Sequence, residues 1–219
     1  MSYSVRHTLR SRKSFGGRMA SPEATYDSLY IVRCLEEPLH GVTEGEVQVF
    51  GYLAQLLGLF KGAPTAEWGY RFARTNWGAP FSREIAGALK EFKLSGQLQV
   101  VAQDEVAPVV CAEEGKALGE ALDDLQTCCT RRPYLEAACA SVSAFPVAAI
   151  RRAIRSEPTL KSASAHAGPQ ELLSGPSLEL LYEQFGALRQ ALGDAPTDLL
   201  VPSSVWLSYL IEKDSELPA

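Results

Sequence analysis

The sequence predicts a mainly α-helical protein with one small β-hairpin, arranged as a winged helix-turn-helix domain followed by an appended helical region. Three observations support this fold class. Apolar residues recur at helical spacing over most of the chain, capping residues stand before and after these segments, and two short β-rich runs flank one polar turn. A chain of 219 residues with 46% hydrophobic composition can also bury a sizeable core.

Two helices are expected first. Thr25 or Asp27 can cap a helix that ends near Leu35. A T-x-x-E capping box begins at Thr43, in which the hydroxyl and the carboxylate each satisfy a free end amide. The helix after it, at 47–60, carries apolar residues on two neighbouring faces, so we expect burial on two sides.

A third helix follows an extended segment. Residues 67–73 alternate large apolar side chains with small or charged ones, as a short strand does. Ser82 is a suitable N-cap for a helix over 83–95, and Gly96 can end that helix in a left-handed conformation. Its predicted buried face consists of Ile85, Leu89 and Phe92.

Two β-rich runs, 97–101 and 106–111, predict a hairpin whose turn carries Asp104 and Glu105. The order helix, helix, strand, helix, hairpin describes a winged helix over 25–112. In that arrangement the helix at 83–95 takes the third-helix position and the hairpin is the wing.

The region 113–219 is expected to be helical. Between 156 and 176 the composition turns to Ser, Ala, Gly and Pro, which indicates a linker or mobile loop. The predicted helices in this region cover 113–128, 133–142, 146–154, 177–192 and 203–213.

The N-terminal residues 1–24 are predicted to form a basic flexible arm. The first 20 residues hold five basic residues and no acidic one, which leaves 16 basic and 26 acidic residues in the rest of a chain with net charge −5. Such an arm could touch nucleic acid or an acidic partner, but its lack of apolar surface favours a solvated tail. Met19 follows Gly16-Gly17-Arg18, so translation could also start there.

Catalytic and metal-binding motifs are missing from the sequence. It contains no Gly-rich phosphate loop, no G-x-S-x-G elbow and no H-E-x-x-H helix. The five cysteines include no C-x-x-C pair, and an odd count suits a reducing cytosol. No apolar run reaches the length of a membrane span. We therefore expect a cytoplasmic protein that is not an enzyme and holds no cofactor or metal.

Basic residues mark two candidate contact surfaces. The stronger candidates for holding a nucleic-acid backbone or an acidic partner lie in the second region, and they are Arg131, Arg132, Arg151, Arg152 and Arg155. The weaker candidates lie on the third helix, and they are Arg83, Lys90 and Lys93. That helix also carries acidic residues, and the acidic turn behind it would repel phosphate, so a protein-docking role is favoured over base reading.

The runs Trp68-Gly69-Tyr70-Arg71-Phe72 and Trp77-Gly78-Ala79-Pro80-Phe81-Ser82, with Leu94-Ser95-Gly96-Gln97-Leu98, carry a resemblance to known proteins. The segment from about Thr43 to Cys111 resembles bacterial winged-helix proteins that include the YwgA-like and Panacea-type antitoxin families. Related winged-helix subunits are middle components of three-part, Lamassu-type defence systems.

This resemblance implies an accessory subunit or adaptor in an anti-phage complex. Its expected partners are an SMC-like ATPase and an effector, either a nuclease or another toxin, and DNA could be contacted through the complex. The alternative expectation is a DNA-binding transcriptional regulator or antitoxin with the same fold.

Overall fold

The computed structural model of the chain describes residues 21–101, 107–166, 168–193 and 198–215. This part is mainly helical, with small antiparallel sheets. Its helices are α1 (Pro22–Leu35), α2 (Glu44–Phe60), α3 (Arg83–Leu94), α4 (Glu113–Asp123), α5 (Gln126–Cys129), α6 (Arg132–Ala140), α7 (Val147–Arg155), α8 (Pro158–Ser164), α9 (Pro176–Leu192) and α10 (Leu200–Ser215). Its strands are β1 (Ala73–Arg74), β2 (Pro80–Phe81), β3 (Leu98–Val100), β4 (Val109–Cys111) and β5 (Gln170–Glu171).

The first helix begins earlier than its sequence suggests. Ser21 is the N-cap, because its hydroxyl accepts a hydrogen bond from the amide of Ala24 and Pro22 fits the first helical turn. The predicted caps Thr25 and Asp27 are therefore wrong, and Asp27 lies fully buried inside α1. The last residues assigned to the basic arm are helical, while 1–20 lie outside the described residues.

Helix α2 is the central element of the core. The predicted capping box is present, since Glu46 N donates to the Thr43 hydroxyl and Thr43 N donates to the Glu46 carboxylate. Every residue from Val47 to Phe60 is buried, so the helix is enclosed on more than the two sides expected. Gly58 allows the Trp68 ring to pack directly against the α2 backbone.

The predicted third helix and hairpin are confirmed. Ser82 caps α3, its Ile85, Leu89 and Phe92 are buried, and Gly96 has a positive φ of 79°. Strands β3 and β4 pair antiparallel, and Val42, between α1 and α2, forms an isolated bridge with Val109. The acidic turn residues Asp104 and Glu105 lie outside the described part of the chain.

The segment expected to be a strand at 67–73 is only partly one. The alternation is real, because Trp68, Tyr70 and Phe72 are buried while Gly69 and Arg71 are exposed. Strand pairing is confined to its end: β1 pairs antiparallel with both β2 and β5, and the Phe72 carbonyl accepts from the Leu172 amide at 2.8 Å. The alternating sequence thus predicted which side chains are buried, but it did not predict how much of the segment pairs with another strand.

The segment 156–176, where the composition indicated a loop, contains helix α8 and strand β5. Glu157 caps α8 by accepting from the amides of Thr159 and Leu160. Buried apolar residues from α1, α2, α3 and the later helices belong to one hydrophobic cluster. A single core thus extends across the predicted boundary between 112 and 113.

Candidate functional site

One of the stronger candidates from the sequence, Arg131, is part of the core. Only 7% of the residue is exposed. Its Nε donates to Asp27 Oδ1 at 2.8 Å and its Nη1 donates to the Trp68 carbonyl at 2.9 Å, while the ion pair to Asp27 Oδ2 is shorter still. The guanidinium also lies 4.1 Å from the centre of a Trp68 ring. Arg131 therefore does not present its charge to a partner.

Asp27 is the reason for this burial. Its carboxylate is fully buried, and it also accepts a 2.6 Å hydrogen bond from the Tyr70 hydroxyl. Burial raises the pKa of Asp27, and the Arg131 guanidinium and the Tyr70 hydroxyl oppose that shift. A buried carboxylate needs such partners, so this network joins α1, α6 and the 68–70 segment.

The other predicted arginines lie on two helices, α6 and α7. Arg132 pairs with Glu136 at 3.3 Å on α6, and Arg151 pairs with Glu46 at 3.5 Å beside the N-terminus of α2. Arg152 and Arg155 are exposed on α7. Because Arg131 lies in the core, the predicted basic surface lacks this member.

The candidate residues of α3 differ among themselves. Arg83 and Lys90 are exposed, whereas Lys93 lies 4.0 Å from the Glu44 carboxylate of α2. Arg83, at the first position of α3, lines a cleft that the sequence did not predict.

This arginine cleft has a volume of about 540 Å³ and is lined by β1, β5 and the start of α3. Three arginines line it, together with two acidic residues and two aromatic rings: Arg71, Arg74, Arg83, Glu84, Glu171, Phe72 and Phe81. The three arginines are close in sequence, but the opposite side of the cleft comes from β5, and pairing of β1 with β5 over about a hundred residues was not predictable from local patterns.

The hydrogen bonds of the cleft arginines leave donors free. Arg71 pairs with Glu171 at 2.9 Å, but the two side chains are 77% and 49% exposed, so solvent weakens the pair. Arg74 Nη1 donates a long 3.4 Å bond to the His166 carbonyl, and its buried Nε has no partner among the described residues. An arginine carries five donors, so the cleft retains capacity for an anion.

A fully exposed tryptophan stands on the turn next to this cleft. Trp77 is 87% exposed. Its turn is held by the Thr75 amide donating to the Ala79 carbonyl at 2.9 Å and by the Gly78 amide donating to the Thr75 carbonyl at 3.0 Å. The ring is therefore displayed on an ordered turn, although no core packing holds it there.

A second surface, the α9–α10 groove, is apolar. It has a volume of about 310 Å³, and its walls are Gln184, Ala187, Leu188, Ala191, Val205, Trp206 and Tyr209. Phe185 anchors it from beneath, with ring centres 5.6 Å from Phe60 and 5.4 Å from Trp206. Val205 and Tyr209 remain 41% and 45% exposed at its rim.

Two buried polar atoms in this groove have no partner in the part of the chain described. They are the indole Nε1–H of Trp206, a residue only 2% exposed, and the side-chain oxygen Oε1 of Gln184. One is a donor and the other an acceptor. Leaving such groups unpaired costs about 1–3 kcal/mol each, so a ligand that satisfies both is favoured.

Within the described ranges no group of three His, Cys, Asp or Glu side chains could hold a metal ion. In the same residues no single helix is long and apolar enough to cross a membrane, and only the pair Arg132–Ser143 and Val147–Arg155, bent by 119°, meets that length and composition. Comparison with protein-family models, curated proteins and solved structures finds no match for this chain.

Proposed function

We propose that this protein is a non-enzymatic accessory subunit that acts by binding other proteins, and that the α9–α10 groove receives an apolar peptide segment of a partner. This proposal rests on one observation: the largely apolar lining of the groove includes one donor and one acceptor, on Trp206 and Gln184, that have no partner among the described residues. A peptide backbone offers the complementary set, because its carbonyl can accept from Trp206 and its amide can donate to Gln184.

The first part of the chain is proposed to be a winged helix. Helices α1, α2 and α3 precede the β3–β4 hairpin, which would be the wing. The β-bridge between Val42 and Val109 connects this hairpin to the segment between α1 and α2. In this proposal the domain binds other proteins and not DNA. Its helix α3 carries acidic as well as basic residues, and Lys93 lies 4.0 Å from the Glu44 carboxylate.

The proposed partners follow from the resemblance of the segment between Thr43 and Cys111 to winged-helix defence subunits. They are an SMC-like ATPase and an effector of a bacterial anti-phage complex, the effector being a nuclease or another toxin. The subunit would connect the two proteins or hold the effector inactive until foreign DNA is sensed.

The test is affinity purification of the natively expressed chain, with nuclease treatment, followed by identification of co-purifying products of adjacent genes. Val205→Asp places a charge at the rim of the groove and is expected to abolish recovery of the partner. The matched control is Leu125→Asp, because Leu125 is 49% exposed but lies between α4 and α5, and it should retain the partner.

Equal recovery with both variants would refute the groove as the docking site. Recovery of the chain alone, bound to a specific DNA sequence, would refute the adaptor function itself.

The alternative proposal is a DNA-binding regulator or antitoxin that contacts an operator through α3. The exposed Arg83 and Lys90 favour it, because both could reach phosphate. Gene neighbourhood separates the two proposals: adjacent ATPase and nuclease genes support the adaptor, and a lone adjacent toxin gene supports the regulator.

A further inference from the structure

We propose that the arginine cleft and Trp77 together form a binding site for single-stranded nucleic acid, with a backbone phosphate in the cleft and a base stacked on the indole. This site is distinct from the α9–α10 groove, and it does not depend on docking of a partner there.

The cleft has the charge that a phosphodiester requires. Its lining holds three arginines against two carboxylates, within a chain whose overall net charge is −5. Among the described residues the Glu171 carboxylate pairs with the exposed Arg71 alone, so a phosphate can take its place at little cost. Guanidinium groups match phosphate oxygens in geometry as well as in charge.

Arg74 and Arg83 supply the remaining attraction. Arg74 Nη1 donates a long 3.4 Å bond to the His166 carbonyl, so its guanidinium keeps donors for a phosphate oxygen. Arg83 is the first residue of the 12-residue helix α3, where the helix dipole adds positive potential. The lining of the cleft thus includes both guanidinium groups and the first residue of a helix.

Trp77 supplies the second half of the site. It lies three positions after Arg74, a span of at most about 11 Å along an extended chain. A short nucleic-acid strand can therefore contact both. Exposed aromatic rings beside a basic groove are the usual means of binding unpaired bases, because every base has a face that stacks.

The exposed ring also selects the form of nucleic acid. In a duplex the base faces are stacked on each other and cannot pack on an indole, whereas an unpaired base can. Duplex recognition through many phosphate contacts is disfavoured by the acidic chain as a whole. Single strands are consequently the expected ligand.

The experiment measures fluorescence anisotropy of a labelled thymidine oligomer of about 12 nucleotides with the full chain at about 50 mM salt. A duplex of the same length is the second probe. Trp77→Ala is expected to weaken binding on the order of 5- to 100-fold, as loss of a stacked base does. Arg83→Ala should weaken binding. It should also reduce the slope of log affinity against log salt concentration by about one, the value for one lost phosphate contact.

Arg189→Ala is the matched control, because Arg189 is an exposed arginine of helix α9, far from the cleft in sequence, and is not a candidate contact. It should leave affinity unchanged. Tryptophan fluorescence gives an independent readout: Trp68 and Trp206 are 4% and 2% exposed, so quenching on binding reports Trp77.

Absence of binding by the single strand would overturn the proposal. So would equal affinity for the duplex, or a loss of affinity in Arg189→Ala that matches the loss in Trp77→Ala. Circular dichroism of Trp77→Ala should match the unaltered protein, since this side chain packs on nothing.

Discussion

Arg131→Leu is expected to destabilise the protein severely, because it removes the partner of a fully buried carboxylate. The substitution deletes the Nε bond to Asp27, the ion pair to Asp27 Oδ2 and the bond to the Trp68 carbonyl. Asp27 would keep only the Tyr70 hydroxyl. Removing one member of such a buried pair typically costs about 3–5 kcal/mol.

The neighbouring Arg132 provides a matched control. Its pair with Glu136 lies one helical turn away, and the two side chains are 48% and 55% exposed. Arg132→Leu should cost only about 0.3–0.5 kcal/mol, the usual value for an exposed helix pair. For a chain of this size, thermal midpoints should fall by about 6–20 °C for Arg131→Leu and by about 2 °C at most for Arg132→Leu.

Urea denaturation followed by circular dichroism measures both changes. The double variant Asp27→Leu with Arg131→Leu removes both charges and should recover part of the lost stability, because no buried carboxylate remains unpaired. A loss for Arg131→Leu no larger than that for Arg132→Leu would show that Arg131 does not hold the core together.

Three further changes test other parts of the fold. Gly115→Ala should destabilise the protein, because the added Cβ meets the backbone carbonyl of Gln97, just before β3. Gly186→Ala in α9 has open space around the added Cβ and should raise the free energy of unfolding by about 0.5–1 kcal/mol. Equal stabilisation of both variants in urea denaturation would contradict this packing. Phe92→Ala should cost about 3–5 kcal/mol as a buried truncation, and the exposed Lys90→Ala should change stability little; unchanged thermal stability of the Phe92 variant would place the buried face of α3 elsewhere. Burial raises the pKa of Glu157 above its ordinary 4.5, so the folded state binds this proton more tightly than the unfolded state. Its contribution is therefore greatest below about pH 4.5 and falls as pH rises through the folded pKa. Urea denaturation at a series of pH values should show a weaker fall of stability with pH in Glu157→Gln. The same fall in Glu157→Gln would contradict a raised pKa of Glu157 in the folded state.

The elements that the sequence predicted well are those defined by neighbours along the chain. Thr43, Ser82 and Gly96 act within one turn of the helix ends they define, so spacing alone identified them. The buried face of α3 followed from helical periodicity for the same reason. Such local signals do not depend on how distant segments pack.

The features that were missed depend on contacts distant in sequence. Arg131 and Asp27 are 104 positions apart, and nothing near either residue distinguishes a buried pair from two surface charges. The arginine cleft likewise needs β5 to pair with β1. Helix α8 lies in a Ser- and Ala-rich segment, and its cap Glu157 is fixed by the Tyr52 hydroxyl, 105 positions away.

The two buried carboxylates explain why the predicted parts form one unit. Asp27 of α1 is paired by Arg131, and Glu157 at the start of α8 accepts a 2.9 Å bond from Tyr52 of α2. Each link crosses the boundary predicted at 112, and each would leave a buried polar group unpaired if the two parts separated. Separation therefore costs more than the loss of apolar contact alone. The α9–α10 groove and the arginine cleft are consequently carried on one core, so partner binding and nucleic-acid binding would act on the same folded body.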